Sequence, residues 1–134
     1  MNLTVVVSET GQGLFQQSVI AGGHHFWADE PNDMGGEDTG PAPFDFLMAG
    51  LGACTSMTIR MYAKHKKIPL DKIEVTLIYS KQEIDGKSRD HITREIALQG
   101  NLTEEQRERL LAIANKCPVH KALEGNLVIS SKLA

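Results

Sequence analysis

The chain alternates between stretches of two-residue and of helical hydrophobic period. Leu3-Thr4-Val5-Val6-Val7 is a β-branched run closed by Ser8, Thr10, Gly11 and Gly13, which predicts a strand ending in a turn. Leu14 to Ile20 predicts a second strand, Gly22-Gly23 a turn, and His24 to Ala28 a short third strand, so that the three read as a β-meander. Residues 29–41 hold Pro31, Gly35, Gly36, Gly40 and the acids Asp29, Glu30, Asp33, Glu37 and Asp38, with no apolar period. That composition predicts a long loop. The order of its acids does not match a helix-loop-helix calcium site, so a solvated acidic loop is expected.

Pro43 to about His65 predicts the main helix, with Pro43 in the first turn and Asp45 at the positive helix end. From Phe44 to Ala53 nearly every position is apolar or small, which predicts burial in a core or an interface. Gly50 and Gly52 each cost helix stability, so they suggest close approach of another backbone. Asp71 to Gln82 alternates, with Ile73, Val75, Leu77 and Tyr79 on one face, and predicts a half-buried strand. Asp85-Gly86 signals a hairpin, and His91 to Leu98 alternates again with Ile92, Ile96 and Leu98 as apolar markers. Thr103 and Gln106 form a capping box opening a helix to about Cys117. Pro118 opens a short helix to about Glu124, and Leu127 to Leu133 predicts a last strand. The predicted order is β-β-β-α-β-β-α-α-β, an α+β chain forming a single domain over residues 1–134.

Composition narrows the function classes. The chain has 134 residues, and its 14 Lys+Arg against 17 Asp+Glu leave a net charge of −3, without the basic footprint that nucleic acid demands. The longest apolar or small run, Phe46 to Cys54, is too short to span a membrane. No basic segment followed by an apolar one opens the chain, which predicts a cytoplasmic protein whose thiols are reduced.

Two cysteines are the main candidates for chemistry. Cys54 lies within the apolar helix and Cys117 precedes Pro118, 63 positions later. Both are compatible with inert buried packing. Cys117 adjoins a new helix N-terminus, which favours a thiolate, and small neighbours leave room beside Cys54. Met57 and Met61 share a helical face with Cys54 and are candidates for an apolar channel wall. His120 stands at metal-like spacing from Cys117, but two ligands do not make a zinc site, and no metal or cofactor is expected. His24 and His25 are weaker candidates, pointing to opposite faces of their strand.

The motifs Gly40-Pro41-x-Pro43, Ala49-x-Leu51-Gly52-Ala53-Cys54, Arg60-Met61-Tyr62-Ala63, Thr93-Arg94-Glu95-Ile96 and Lys116-Cys117-Pro118-Val119-His120 together resemble the OsmC/Ohr family of bacterial proteins linked to organic hydroperoxide defence. The resemblance spans about residues 29 to 129. It implies an OsmC-like fold built as an intertwined homodimer around a buried central helix, with sites at the subunit interface. It further implies a peroxidase in which Cys54 attacks an organic hydroperoxide and becomes a sulfenic acid, Cys117 condenses with it to a disulfide, and a dithiol, of lipoyl or other type, restores the thiols. The chain departs from the family pattern at two points: the usual glutamate ten residues before the first cysteine is Phe44, with Asp45 the nearest acid, and no arginine precedes Arg60. A buried thiol without a cation has a raised pKa, so modest activity is expected unless His24, His25 or His120 supplies the charge. The alternative is a non-peroxidase that binds an apolar or electrophilic small molecule at the same cleft.

Overall fold

The computed structural model describes residues 2–134, which form two compact units, one up to Met48 and the other from Ala49 to Ala134. The first unit is an antiparallel meander of β1 (Val5–Glu9), β2 (Gln17–Ala21) and β3 (His24–Ala28), with β2 in the middle. Val19 and Ala28 are its buried apolar side chains, and Phe26 stacks on Phe46 with ring centroids 5.5 Å apart. β1 and β2 start two to three residues later than the hydrophobic runs suggest. The register Val5↔Ala21 to Glu9↔Gln17 places Thr10–Gln16 in the connecting turn, where the Thr10 hydroxyl donates to Gln16 Oε1 and ties the turn across its base.

The long acidic loop is not simply solvated. Asp29 is buried, and its carboxylate accepts from the Glu30 N–H at 2.8 Å, the Thr39 N–H at 3.2 Å and the Thr39 hydroxyl at 2.6 Å. These bonds, led by the Thr39 hydroxyl, hold the Asp29 carboxyl below its usual range against the opposing effect of burial. The stability it supplies is therefore complete above the ordinary aspartate range and is lost as pH falls through its lowered value. One acid staples the loop while the other four lie at or near the surface. A short 3-10 turn, Asn32–Met34, sits within the loop where no regular element is predicted.

Helix α1 (Pro43–His65) begins in the first unit and runs into the second. Asp45 Oδ2 accepts from the Ala42 N–H at 3.0 Å, satisfying a donor that the first helical turn leaves over. Within the chain the helix buries one stripe, Leu51, Gly52, Thr55, Ile59 and Ala63, whereas Ala53, Met57 and Met61 remain exposed. Burial on every face, expected from the apolar run, is thus not provided by one chain.

The second unit pairs β4 (Leu70–Ile84) with β5 (Lys87–Gly100) in a long antiparallel hairpin. Asp85 and Gly86 turn it with φ of 53° and 74°, a two-residue turn that demands positive φ at both positions and matches strand twist. The inner face of the hairpin carries Ile73, Val75, Leu77 and Tyr79 opposite Leu98, Ile96, Arg94 and Ile92. Helices α2 (Glu104–Ala114) and α3 (Pro118–Glu124) follow. Leu110, Ile113 and Ala114 of α2 close a core with Ile59, Ala63 and Leu70, against which Ile73, Ile96 and Leu98 pack.

Residues 127–133, read from sequence as a strand, take no regular structure, and Leu127, Val128, Ile129 and Leu133 are exposed. A strand exists only as part of a ladder, and among the described residues this segment pairs with no strand.

The capping box at α2 is complete: the Gln106 N–H donates to Thr103 Oγ1 at 3.1 Å and the Thr103 N–H to Gln106 Oε1 at 3.0 Å. Thr103→Ala should therefore lower unfolding stability by about 1 kcal/mol in urea titration, and Thr103→Ser should retain most of it.

Candidate functional site

Close helix–sheet packing brings the thiols to their surroundings. A Cβ on Gly52 would lie 2.6 Å from Leu77 Cδ1, so glycine lets α1 approach the hairpin at Leu77. The close neighbour is a side chain rather than a backbone, and Gly50, the other helical glycine, faces open space. Leu77 pairs across the hairpin with Arg94, and less than one turn beyond Gly52 the fully buried Thr55 meets that arginine, with the Arg94 guanidinium donating to Thr55 Oγ1 at 2.9 Å. The Thr55 hydroxyl itself donates to the Leu51 carbonyl at 2.6 Å.

Cys54 precedes Thr55 on α1 and is half-buried; Cys117, at the junction of α2 and α3, is fully buried. Cys117 is the N-cap residue of α3, and its Sγ accepts from the His120 N–H at 3.4 Å. Pro118 follows at a position where a missing N–H costs nothing. Both cysteines are free thiols, and they lie near enough for each to alter the ionisation of the other.

The two sulfurs are electrostatically unequal. Burial pushes the Cys54 thiol up, and its hydrogen bond to Cys117 pushes it further, outweighing the Val119 N–H and the Thr58 hydroxyl. Burial also opposes ionisation of Cys117. There, however, the hydrogen bond from Cys54, the N–H groups of His120 and Val119, and the Thr55 hydroxyl outweigh it and hold the thiol below its ordinary value.

Arg94 is the residue that sequence reasoning missed. Its Nη1 donates to Thr55 Oγ1 and to the Ala114 carbonyl at 3.1 Å, and its Nη2 to Asn115 Oδ1 at 3.2 Å and to His120 Nδ1 at 2.7 Å. A guanidinium has donors only, so His120 Nδ1 is the acceptor, and the ring's Nε2–H is left to donate to Glu124 Oε1 at 2.9 Å. The charge in this cluster is therefore that of the arginine, not of the histidine. The signal was present in the sequence: Ile92, Ile96 and Leu98 are apolar markers of one strand face, and position 94, on the same face, carries a charge.

The other expected site residues lie elsewhere. Met57 and Met61 are 68% and 73% exposed and line an open groove with Arg60, Lys72 and Ile73, so one chain forms no enclosed apolar channel there. The Arg60 guanidinium donates to the Leu70 carbonyl at 2.6 Å and the Asp71 carbonyl at 3.3 Å, tying α1 to the start of β4. Asp45, His24 and His25 belong to the first unit. Asp45 is engaged at the helix start, as above. His25 Nε2 is 2.8 Å from Ser18 Oγ with its ring against Trp27, and His24 is exposed on β3. Among the described residues no cluster of His, Cys, Asp and Glu is arranged to hold a metal ion, and no helix is long and apolar enough to cross a membrane.

The model of the OsmC-like protein family matches residues 35–132, which include both cysteines and Arg94. The chain belongs to the OsmC-like family. Its fold is similar to an OsmC-like protein from Mycoplasma pneumoniae, with 22% identity, a TM-score of 0.72, and coverage of 92% of this chain and 86% of that one. It is also similar to the organic hydroperoxide resistance protein OsmC from Legionella pneumophila, at 23% identity, a TM-score of 0.70, and coverage of 94% and 91%. An organic hydroperoxide resistance protein from Elizabethkingia anophelis matches at 22% identity, a TM-score of 0.70, and coverage of 94% and 90%. No curated protein matches the chain in sequence. The α+β architecture inferred from the sequence is that of the family.

Because burial is the main cause of the raised Cys54 pKa, it persists without Cys117. In a Cys117→Ser variant the alkylation rate of Cys54 should still be rising at the ~8.5 typical of a free cysteine. A plateau reached at acidic pH would contradict this.

Proposed function

We propose that this chain is a thiol-dependent peroxidase acting on organic hydroperoxides. The observation that carries the reading is the pair of free thiols, from α1 and from the α2–α3 junction, each near enough to alter the ionisation of the other. Cys54 is the more accessible sulfur and attacks the peroxide; the O–O bond breaks, the alcohol leaves, and Cys54 becomes a sulfenic acid. Cys117 then displaces water from that sulfur to form the disulfide, and an external dithiol of lipoyl or other type reduces it. Membership of the OsmC-like family and the fold shared with organic hydroperoxide resistance proteins support a role in peroxide stress. The setting is the cytoplasm, where such reductants keep thiols reduced.

The working form in this reading is a homodimer with the site at the interface. The exposed stripe Ala53, Met57 and Met61 and the exposed apolar segment Leu127, Val128 and Ile129 are surfaces that a second copy would cover. Met57 and Met61 would then become walls of an apolar cleft that favours bulky peroxides over hydrogen peroxide. Sedimentation at micromolar concentration should show a dimer, with an interface above ~2,000 Å². A single-chain species would refute the assembly.

A second reading, a non-peroxidase that binds an apolar or electrophilic small molecule at the same cleft, is favoured by one observation: burial raises the pKa of the Cys54 thiol. Each unit of such a rise removes up to about tenfold in thiolate fraction at neutral pH, partly offset by the greater nucleophilicity of a more basic thiolate. Stopped-flow mixing of reduced protein with an organic hydroperoxide, followed by a free-thiol count, separates the two. The peroxidase loses both thiols, at a modest rate and faster than with hydrogen peroxide, and Cys117→Ser stops at the sulfenic acid. Retention of both thiols would leave the binding reading.

A further inference from the structure

Arg94 is a half-buried cation that the steps above do not use. We propose that Arg94 is a positioning residue that sets the spacing of the two thiols for disulfide formation, by fastening the turn of α1 that carries Cys54 to the α2–α3 junction that carries Cys117. In turnover this role rests on the peroxidase reading; the fastening itself stands on hydrogen bonds.

The guanidinium reaches the segments beside both sulfurs. On α1, Thr55 directly follows Cys54 and is fully buried; its Oγ1 accepts from Arg94 Nη1 at 2.9 Å while its hydroxyl donates to the Leu51 carbonyl at 2.6 Å. On the other side, the Ala114 carbonyl accepts from the same Nη1 at 3.1 Å and also from the Cys117 N–H at 3.4 Å. A single nitrogen therefore joins the neighbour of one cysteine to the backbone bond of the other. Nη2 adds Asn115 Oδ1 at 3.2 Å and His120 Nδ1 at 2.7 Å, and the His120 N–H donates to Cys117 Sγ at 3.4 Å.

Apolar packing does not hold this junction. The core of Ile59, Ala63, Leu70, Leu110, Ile113 and Ala114 stops at the end of α2; Asn115 and Lys116 are exposed, and α3 buries no residue. Cys117 is a buried side chain on a segment fixed mainly by directional bonds, and four of those come from one fork. The fork stands on β5, which is paired with β4 along its length and gives it a firm base.

The step that needs this spacing is the condensation. Once Cys54 is a sulfenic acid, the Cys117 sulfur donates an electron pair to the Cys54 sulfur. The S–S bond forms, the S–O bond breaks, and the hydroxyl leaves as water with the hydrogen of Cys117. A disulfide tolerates Cα atoms no more than ~7 Å apart, so holding the two segments together raises both the rate and the yield of this bond.

Equilibration of the reduced protein with glutathione and glutathione disulfide, with the intrachain disulfide counted by mass spectrometry, tests this without any peroxide. The ratio gives the effective concentration of one thiol toward the other. Arg94→Met should lower it about tenfold. Arg94→Lys, which keeps the charge without the fork, should recover only part of the loss. Thr55→Val removes the α1 leg at nearly the same shape and should lower it too, while Thr55→Ser should not. Thr103→Ala weakens α2 at the end away from the fork and should leave it unchanged. The sign separates spacing from charge: a cation that served to stabilise a thiolate would favour the reduced pair, so its removal would raise the disulfide. An unchanged or increased effective concentration in Thr55→Val and in a folded Arg94→Met protein would overturn the proposal, as would an equal fall in Thr103→Ala. If Arg94→Met does not fold, as judged by circular dichroism, the Thr55 pair decides. A wild type that forms the disulfide with glutathione yet keeps both thiols under an organic hydroperoxide would refute the peroxidase reading and leave the role of Arg94 standing.

Discussion

A guanidinium set among an apolar strand face and three helical segments has to satisfy its donors there or destabilise the unit around it. Arg94 does so with a threonine hydroxyl, a helix-terminal carbonyl, an amide and an imidazole, drawn from α1, the end of α2 and α3. The bonds cost little to form because the partners have unmet needs of their own. The Ala114 carbonyl lies at the end of α2, where helix carbonyls lack partners within the helix, and Thr55 is buried with an oxygen that still accepts. Satisfying the arginine and fixing the geometry around Cys117 are therefore the same event.

The arrangement depends in turn on how closely α1 lies to the hairpin. Leu77 fills the space that any side chain at position 52 would need, and Arg94 sits directly across from Leu77. A larger residue at 52 would have to displace the end of the Leu77 side chain from beneath the helix. The stretch that looks merely small and apolar in the sequence is in this way a spacing device.

The elements were legible where local chemistry is decisive. The helix Pro43–His65, the strand His24–Ala28 and the short helix Pro118–Glu124 agree in both limits with the positions of their prolines, turns and periods. The last strand was not legible, because alternation shows that a segment suits a ladder but not that a partner exists in the same chain. The two cysteines were readable from their contexts. The cation was not, because a charge on an apolar strand face shows its use only when the fold brings Thr55, Ala114, Asn115 and His120 from distant parts of the chain around it. Asp45 was legible as a first-turn acid at the positive helix end, and there its carboxylate accepts from the Ala42 N–H.

Cys117 caps α3 with the atom that would be oxidised. A thiolate is a good acceptor for the His120 N–H and a favourable charge at a helix start; a disulfide sulfur is neutral and a poor acceptor. Turnover would thus switch the cap off and on. The first turn of this seven-residue helix would then rest on the Lys121 N–H bond to the Cys117 carbonyl and on the His120 ring bonds, so the start of α3 would loosen in the oxidised protein and tighten on reduction. Loosening of that kind would uncover the buried sulfur to a reductant, and the redox state of one bond would become readable as the order of one helix.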